Sequence, residues 1–223
     1  MRLGVVLPTF RDDLDEAFTV ARVCEESGLD GVFAYDHLWP MGARTRPALS
    51  PFAVLAAVAT RFPGLSVGPL VARVGMVGVD RLVSQFRTLA SLAPGRVVAA
   101  VGTGDAKSRD ELEGYGLTLA SAEARRAQLA SVVGALRDEM PVWIGAGAEA
   151  TNALADATVA LNLWDARSSE VAAWSRRGPV TWAGPAREDL EAWLDELGDA
   201  GATWAVFAPG VDLSVLAGWR RGA

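Results

Sequence analysis

The sequence predicts a single-domain (β/α)8 TIM barrel, an α/β fold in which parallel strands alternate with helices. Eight short apolar segments have the composition of buried strands, and helical patterns separate them along the chain. A closed barrel suits this alternation because each helix returns the chain to the same end of the sheet and no strand edge stays unpaired. With 223 residues, the chain is short for this fold and too short for two typical domains. An open doubly wound sheet is the alternative.

The predicted strands are brief runs rich in Val, Leu, Ala, Phe and Trp. Such runs are typical of strands that are buried on both faces, as those of a parallel barrel are. In chain order they are Leu3 to Leu7, Gly31 to Tyr35, Leu65 to Val71, Arg96 to Val101, Pro141 to Ile144, Val159 to Leu163, Pro179 to Trp182 and Thr203 to Phe207.

The helical patterns between these strands carry recognisable start and stop signals. Asp13-x-x-Glu16 has the spacing of a capping box, which predicts that the first helix begins there, and Gly28 can end that helix in a left-handed conformation. The further predicted helices are Phe52 to Phe62, one from Asp80 that stops at Ala93-Pro94-Gly95, Ala122 to Glu139, Ala148 to Ala155, and one with Leu190, Trp193, Leu194 and Leu197 on one face.

Composition narrows the class of protein. The net charge of −6 opposes binding to nucleic acid or to anionic lipid. The amino terminus lacks the features of a signal peptide, and the apolar tract from Pro51 to Thr60 is shorter than the roughly twenty residues of a membrane span. Cys24, the sole cysteine, is predicted to be a buried filler, and the acidic residues from Glu188 to Glu196 form a solvated face. We therefore expect a cytoplasmic protein without a metal site that acts on a small molecule.

The candidate catalytic residues follow the second strand. Active sites of (β/α)8 barrels form at the carboxyl ends of the strands. Asp36 and His37 occupy that position, and His37 is the sole histidine of the chain. An imidazole with a pKa near 6.5 can exchange a proton at neutral pH, and the adjacent Asp36 could fix its tautomer. Trp39, two residues after His37, could also reach the site.

Three other strand ends contribute candidate residues. Leu70 to Arg73 follow the third strand, Gly102-Thr103-Gly104-Asp105 the fourth and Gly145-Ala146-Gly147 the fifth. Glycines allow the backbone to approach a planar ligand or a phosphate, and amides at the start of the next helix could bind an anion, although tight turns without a ligand are the alternative. Arg44 and Arg46 could clamp an acidic ligand, but a solvated loop is the favoured interpretation.

The order and spacing of several motifs resemble the bacterial luciferase-like family of flavin- and deazaflavin-dependent oxidoreductases, which are (β/α)8 barrels. The similarity extends over most of the chain. The segments that carry it are Leu3-Gly-Val-Val-Leu-Pro8, Glu26 to Leu38 with its Ala-Tyr-Asp-His-Leu end, Arg96-Val-Val-Ala-Ala-Val-Gly-Thr-Gly-Asp105 continuing to Glu113-Gly-Tyr-Gly116, and Pro141-Val-Trp-Ile-Gly-Ala-Gly147.

The resemblance implies the positions of a cofactor and of the catalytic groups. A ring would lie across the barrel mouth, with His37 as the proton partner, Asp36 orienting it and Asp105 assisting the substrate. A non-proline cis peptide is expected between Leu70 and Val71, beneath the ring. The remaining residues expected to bind the cofactor ring or its phosphate are Gly102, Thr103, Gly104, Gly145, Ala146 and Gly147.

The function implied is that of a deazaflavin-dependent oxidoreductase, using a coenzyme of the F420 type, that transfers hydride to or from a small carbonyl, alcohol or imine-type substrate. FMN-dependent monooxygenase is one alternative, and a non-catalytic flavin-binding or accessory protein is another. A barrel isomerase or lyase acting on a phosphorylated substrate is a third. A homodimer is plausible by the same resemblance. The chain departs from the family pattern in two places: Ala122 to Glu139 leads directly to Pro141 without the usual insertion, and Thr158 to Asn162 retains just the asparagine of its motif.

Overall fold

The computed structural model describes residues 1–40, 43–104 and 109–222. Its strands are β1 (Arg2–Val6), β2 (Gly31–Ala34), β3 (Ser66–Pro69), β4 (Ala72–Arg73), β5 (Ala99–Gly102), β6 (Val142–Gly145), β7 (Val159–Trp164), β8 (Val180–Gly184) and β9 (Ala202–Phe207). Its helices are α1 (Asp15–Glu26), α2 (Pro51–Arg61), α3 (Val79–Leu92), α4 (Arg109–Gly114), α5 (Ala122–Leu136), α6 (Glu149–Asn152), α7 (Ser168–Ser175), α8 (Leu190–Asp199) and α9 (Leu213–Gly222).

The strands form one parallel sheet that curls into a nearly closed barrel. Their order is β3-β2-β1-β9-β8-β7-β6-β5-β4. The predicted third strand, Leu65 to Val71, corresponds to β3 alone, and the other end strand, β4, begins just beyond it, after a cis peptide bond between Leu70 and Val71. Near this break, the Val67 amide donates to the Arg96 carbonyl at 2.8 Å, and Val67 pairs with Val97. The predicted barrel is confirmed, and so is the position of the cis peptide.

Apolar side chains form two layers, one inside the barrel and one between the strands and the helices. Inside, the rings of Phe33, Trp143 and Trp204 pack with centroids 5.2 to 5.6 Å apart, and we call these three residues the aromatic plug. The outer layer includes Leu55 and Phe86, which are fully buried against the strands. Burial of each such side chain contributes about 1.5–3 kcal/mol, so helices and strands stabilise one another.

The start of α1 differs from the prediction. The helix begins at Asp15, whose amide donates to Asp13 Oδ1 at 3.0 Å, and no capping box forms. The Glu16 carboxylate instead accepts from Arg11 Nε at 2.6 Å, which removes the acidic partner that the box requires. The predicted end is confirmed, because Gly28 has a φ of 73°.

Other helix limits also differ. Helix α5 ends at Leu136 rather than Glu139, and α6 spans Glu149–Asn152 rather than Ala148 to Ala155. Helices α4, α7 and α9 were not predicted, and α4 proves important because it delivers Glu111 to the barrel mouth. No helix in the described ranges is long and apolar enough to cross a membrane.

Candidate active site

A cavity of about 770 Å³ opens at the carboxyl ends of the barrel strands. Its volume lies within the range of pockets that bind small molecules and cofactors. Loops that are far apart in the sequence therefore meet at one rim, as predicted. The predicted site residues that line it are Asp36, His37, Leu70, Val71, Gly102, Thr103, Gly104, Gly145, Ala146 and Gly147. Asp105 lies outside the described residues.

Four polar side chains form a charged cluster at this rim: Asp36, His37, Arg73 and Glu111. The Glu111 carboxylate is buried, and it accepts from Arg73 Nη1 at 2.7 Å and from Arg73 Nη2 at 3.2 Å. It also bonds His37 Nδ1 at 3.1 Å and accepts from the Leu38 amide. Asp36 Oδ2 accepts from the Arg73 amide at 2.7 Å. Every carboxylate of the cluster thus has a partner within the protein.

The prediction that Asp36 orients His37 is wrong. Asp36 is turned towards Arg73, and Glu111, 74 positions along the chain from His37, bonds the imidazole instead. A carboxylate accepts hydrogen bonds, so the proton of a neutral His37 ring belongs on Nδ1. Nε2 is then the ring nitrogen available to a ligand. The His37 side chain is 27% exposed and lines the cavity.

The two carboxyl groups have opposite pKa shifts. Burial alone would raise the pKa of Glu111, but hydrogen bonds from His37, Arg73 and the Leu38 amide outweigh it and lower the pKa to about 2. Burial dominates at Asp36 and raises its pKa, against the opposing bond and charge of Arg73. Glu111 therefore stays ionised at neutral pH, where it can hold the Nδ1 proton of His37.

Aromatic side chains surround the imidazole. The Tyr35 ring lies edge-on to His37 with centroids 6.4 Å apart, and Phe10 lies at the same distance. The Trp164 ring centroid lies 5.9 Å from that of Tyr35, and Trp164 is half exposed at the rim. Burial raises the pKa of Tyr35 to about 12, so its hydroxyl stays protonated. These rings give the cavity apolar walls beside the imidazole.

Three of the residues considered from the sequence lie away from the cavity lining. Trp39 stacks on Tyr115 at 5.8 Å between ring centroids. Arg44 lies over Trp39 at 5.6 Å and pairs with Asp110 at 3.5 Å in an exposed contact. Arg46 is exposed in the same loop. The solvated interpretation of the two arginines agrees with these positions.

The glycines at two strand ends make room for Val71. A Cβ atom on Gly102 would lie 2.6 Å from Val71 Cγ2, and one on Gly145 would lie 3.2 Å from the same atom. The close approach that we expected of a ligand is therefore made by the protein itself. Gly104 has a φ of 63°, a conformation that favours glycine. Gly102 and Gly145 let the Val71 side chain form part of the cavity surface.

The turn after β6 does not offer the amides that the sequence led us to expect. The Ala146 amide donates to the Asn162 carbonyl at 2.8 Å, and the Gly147 amide donates to Asn152 Oδ1 at 2.8 Å. Helix α6, which follows, has one turn. The Asn162 side chain donates to Thr181 at 2.9 Å, so the retained asparagine of the family motif ties β7 to β8. An anion at this turn would need donors other than the Ala146 and Gly147 amides.

Sequence reasoning missed four charged residues of the rim. Arg73 lay within a segment that the strand-end rule selected, so its role could have been considered. Glu111 belongs to an acidic run that looks like any solvated helix face. Arg125 and Arg126, which we call the arginine pair, also line the cavity, from the first turns of α5. Among the described residues, no group of three or more His, Cys, Asp or Glu side chains is placed to bind a metal ion.

Comparison with known protein families gives a match over the first part of the chain. Residues 1–140, more than half of the chain, match a family model described as luciferase-like monooxygenase. The chain belongs to that family. The family match ends just before β6, so it includes both the charged cluster and the Leu70–Val71 peptide.

Individual proteins are similar to this chain in sequence or in fold. An F420-dependent glucose-6-phosphate dehydrogenase of Nakamurella multipartita is 32% identical over 133 residues, which are 58% of this chain but 37% of that protein. A solved F420-dependent secondary alcohol dehydrogenase, in complex with an F420-acetone adduct, superposes with a TM-score of 0.77 at 13% identity, covering 97% of this chain and 96% of the other. An F420-dependent tetrahydromethanopterin reductase from Methanopyrus kandleri gives a TM-score of 0.74 at 13% identity, covering 98% and 96%.

Proposed function

We propose that this protein is a deazaflavin-dependent oxidoreductase that transfers hydride between an F420-type ring and a small carbonyl, alcohol or imine-type substrate. The observation that carries the proposal is the position of His37, held through Nδ1 by an ionised Glu111 in a cavity that also contains Val71 and the glycine turns. The F420-dependent relatives support the choice of cofactor.

The cavity fits a planar ring in size and in chemistry. Its volume of about 770 Å³ is ample for a tricyclic ring, and Leu70, Val71 and Phe10 give it apolar surfaces. When bound, the cofactor supplies the redox step as hydride acceptor or donor. In this proposal Leu70, Val71 and the turn Gly102 to Gly104 contact the ring, and Gly145 to Gly147 contact its side chain.

The protein's own residues would move and hold the proton. His37 Nε2 would exchange a proton with the substrate oxygen or nitrogen, while Glu111 holds the proton on Nδ1. Arg73 and the Leu38 amide hold Glu111 in place, so Glu111 acts on the substrate through His37. Asp105, outside the described residues, would assist the substrate. The aromatic walls would exclude water from the reacting groups.

The first experiment identifies the cofactor. Purified protein would be titrated with oxidised and reduced F420 and with oxidised and reduced FMN, and binding would be followed by fluorescence. Tight binding of F420 and hydride transfer from isopropanol, or to acetone, is the expected result. Preferential binding of reduced FMN with oxygen consumption would favour the second candidate, a monooxygenase, which the family description supports. Binding of neither cofactor would refute both enzymatic proposals and favour an accessory role.

The second experiment tests His37. We expect His37→Gln to lower kcat by about a hundredfold or more, because positioned acid–base groups contribute roughly 10²–10⁴. F420 affinity should stay within about twofold, since the substitution keeps a polar side chain of similar size. Arg44→Gln, in the same loop but away from the cavity lining, is the matched control. Turnover of His37→Gln equal to that of the control would reject the catalytic role.

A further inference from the structure

The arginine pair is the feature of the cavity that the proposed function leaves unused. Arg125 and Arg126 are both partly buried and both line the cavity. Arg125 Nη1 donates to the Ala120 carbonyl at 2.6 Å, which fixes one side of its guanidinium. Arg125 Nε is enclosed and has no hydrogen-bond partner within the described ranges. A buried donor without a partner within the protein is costly.

The charges of the rim are unevenly balanced. In the charged cluster, Arg73 is compensated by Glu111 and Asp36 at 2.7 and 3.8 Å. The ion pairs between described residues include neither Arg125 nor Arg126. Two guanidinium groups that have no carboxylate partner among the described residues therefore line a cavity in a chain whose net charge is −6. Their positive charge favours a negatively charged ligand group.

Two amides of the competing glycine turn already donate hydrogen bonds within the protein. The amides of Ala146 and Gly147 are already donated to Asn162 and Asn152, and α6 is a single turn. A guanidinium offers several donors in a plane, a geometry that suits the paired oxygens of a phosphate or a carboxylate. The arginine pair is thus better equipped to bind an anion than the glycine turn.

We propose that Arg125 and Arg126 form an anion subsite that binds a phosphate or carboxylate group of a ligand in the cavity. The inference deepens the proposed function, because the anion belongs either to the cofactor side chain or to an acidic substrate. The subsite lies at the start of α5, within reach of the space beside Thr103 and Gly104. Its partial exposure means that added salt should weaken binding.

The direct test uses inorganic pyrophosphate on the protein without cofactor, at constant ionic strength. Calorimetric titration should show binding to the wild type that weakens about tenfold or more in Arg125→Gln and in Arg126→Gln, because each substitution removes charge-assisted hydrogen bonds to the anion. Arg22→Gln removes the same charge from the outer face of α1 and should bind like the wild type. Equal pyrophosphate binding by all four proteins, or none by the wild type, would overturn the subsite.

A conservative variant guards against misfolding. Arg125→Lys and Arg126→Lys keep the charge but lose the planar fork, so their pyrophosphate affinity should fall between those of the wild type and the Gln variants. Thermal unfolding without pyrophosphate shows whether each variant folds. If the Lys variants fold like the wild type but bind pyrophosphate no more tightly than the Gln variants, the result still supports a guanidinium site. If the Lys and Gln variants all fold and bind pyrophosphate like the wild type, the site is refuted.

Paired cofactors identify the source of the anion. Wild-type affinity for FMN should be compared with that for riboflavin, and affinity for F420 with that for the deazaflavin lacking its phosphate-bearing side chain. If the preference for the phosphorylated form disappears in Arg126→Gln, the subsite binds the cofactor phosphate. If that preference persists while pyrophosphate binding is lost, the subsite serves an anionic substrate. Pyrophosphate binding that depends on the arginines in a protein that binds no flavin would refute the proposed function and leave the subsite intact.

Discussion

The charged cluster and the arginine pair lie on the rim of the same cavity but differ in how their charges are satisfied. Glu111 and Asp36 receive all their described partners from the protein, through Arg73, His37 and backbone amides. The arginine pair has one bond to a carbonyl and no described carboxylate partner. We infer that the charged cluster is already arranged before a ligand binds, whereas the arginine pair gains its partner from the ligand.

A partnered cluster has consequences for stability as well as for chemistry. Removing one member of a buried ion pair leaves the other charged and desolvated, which is more costly than the pair itself is favourable. The exposed pairs of the surface, such as Arg22 with Glu26 at 3.7 Å, contribute little because water screens them. Substitutions in the charged cluster should therefore change the free energy of unfolding, and those in the arginine pair should mainly change binding.

The largest effect is expected for Glu111→Ala. The substitution leaves the buried Arg73 guanidinium without its two short hydrogen bonds, so we expect a loss of about 3–5 kcal/mol in the free energy of unfolding. Urea denaturation measures it. Glu113→Ala, on the exposed side of the same helix, is the control and should change stability by no more than about 0.5 kcal/mol. Similar losses in both variants would contradict the difference drawn between buried and exposed charge.

The pH dependence of stability should reflect the same carboxylate. The pKa of Glu111 is lowered from 4.5 to about 2 by folding, so its stabilising contribution is fully present above pH 4.5 and is lost as the pH falls towards 2. The raised pKa of Asp36 acts in the opposite sense, since protonation of Asp36 favours the folded state. Glu111→Gln should therefore lose less stability than the wild type between pH 4.5 and 2, as measured by urea midpoints. Parallel curves for the two proteins would show that Glu111 titrates normally.

A smaller effect is expected for Gly102→Ala. The added methyl group would lie 2.6 Å from Val71 Cγ2, and such overpacking costs about 1–3 kcal/mol. Combining it with Val71→Ala should recover part of the loss, because the second substitution removes the atom that clashes. Gly134→Ala, in α5 with open space around it, should be neutral or stabilising. Additive losses in the double variant would show that Val71 is not the residue that requires glycine at position 102.

Regular patterns in the sequence predicted most of the barrel. Each of the eight predicted strands overlaps an observed one, because short apolar runs between helices have few other solutions in a parallel sheet. The strand-end rule then gathered His37, the Leu70–Val71 peptide and the glycine turns at one rim. Gly28 was recognised because few other residues adopt a positive φ at low cost.

Partner choices between side chains could not be predicted in the same way. The sequence places Asp36 next to His37, yet neighbours on a strand end point in different directions and the bond is made by Glu111. Glu16 likewise had two possible partners, and Arg11 competed successfully with the helix amides. The glycine at position 102 was assigned to a ligand because the sequence gives no sign that Val71 fills the space. Which partner a side chain contacts depends on distances that are known only once the fold is known.

The aromatic plug gives the barrel a floor. Phe33, Trp143 and Trp204 fill the axis at the end remote from the mouth, where Arg2 covers the Trp204 ring at 5.6 Å. A molecule that binds near His37 would therefore enter and leave at the carboxyl ends of the strands, where the cavity opens. A large molecule bound at this opening would block the release of a molecule bound deeper in the cavity. The order of binding and release would therefore follow from the shape of the cavity.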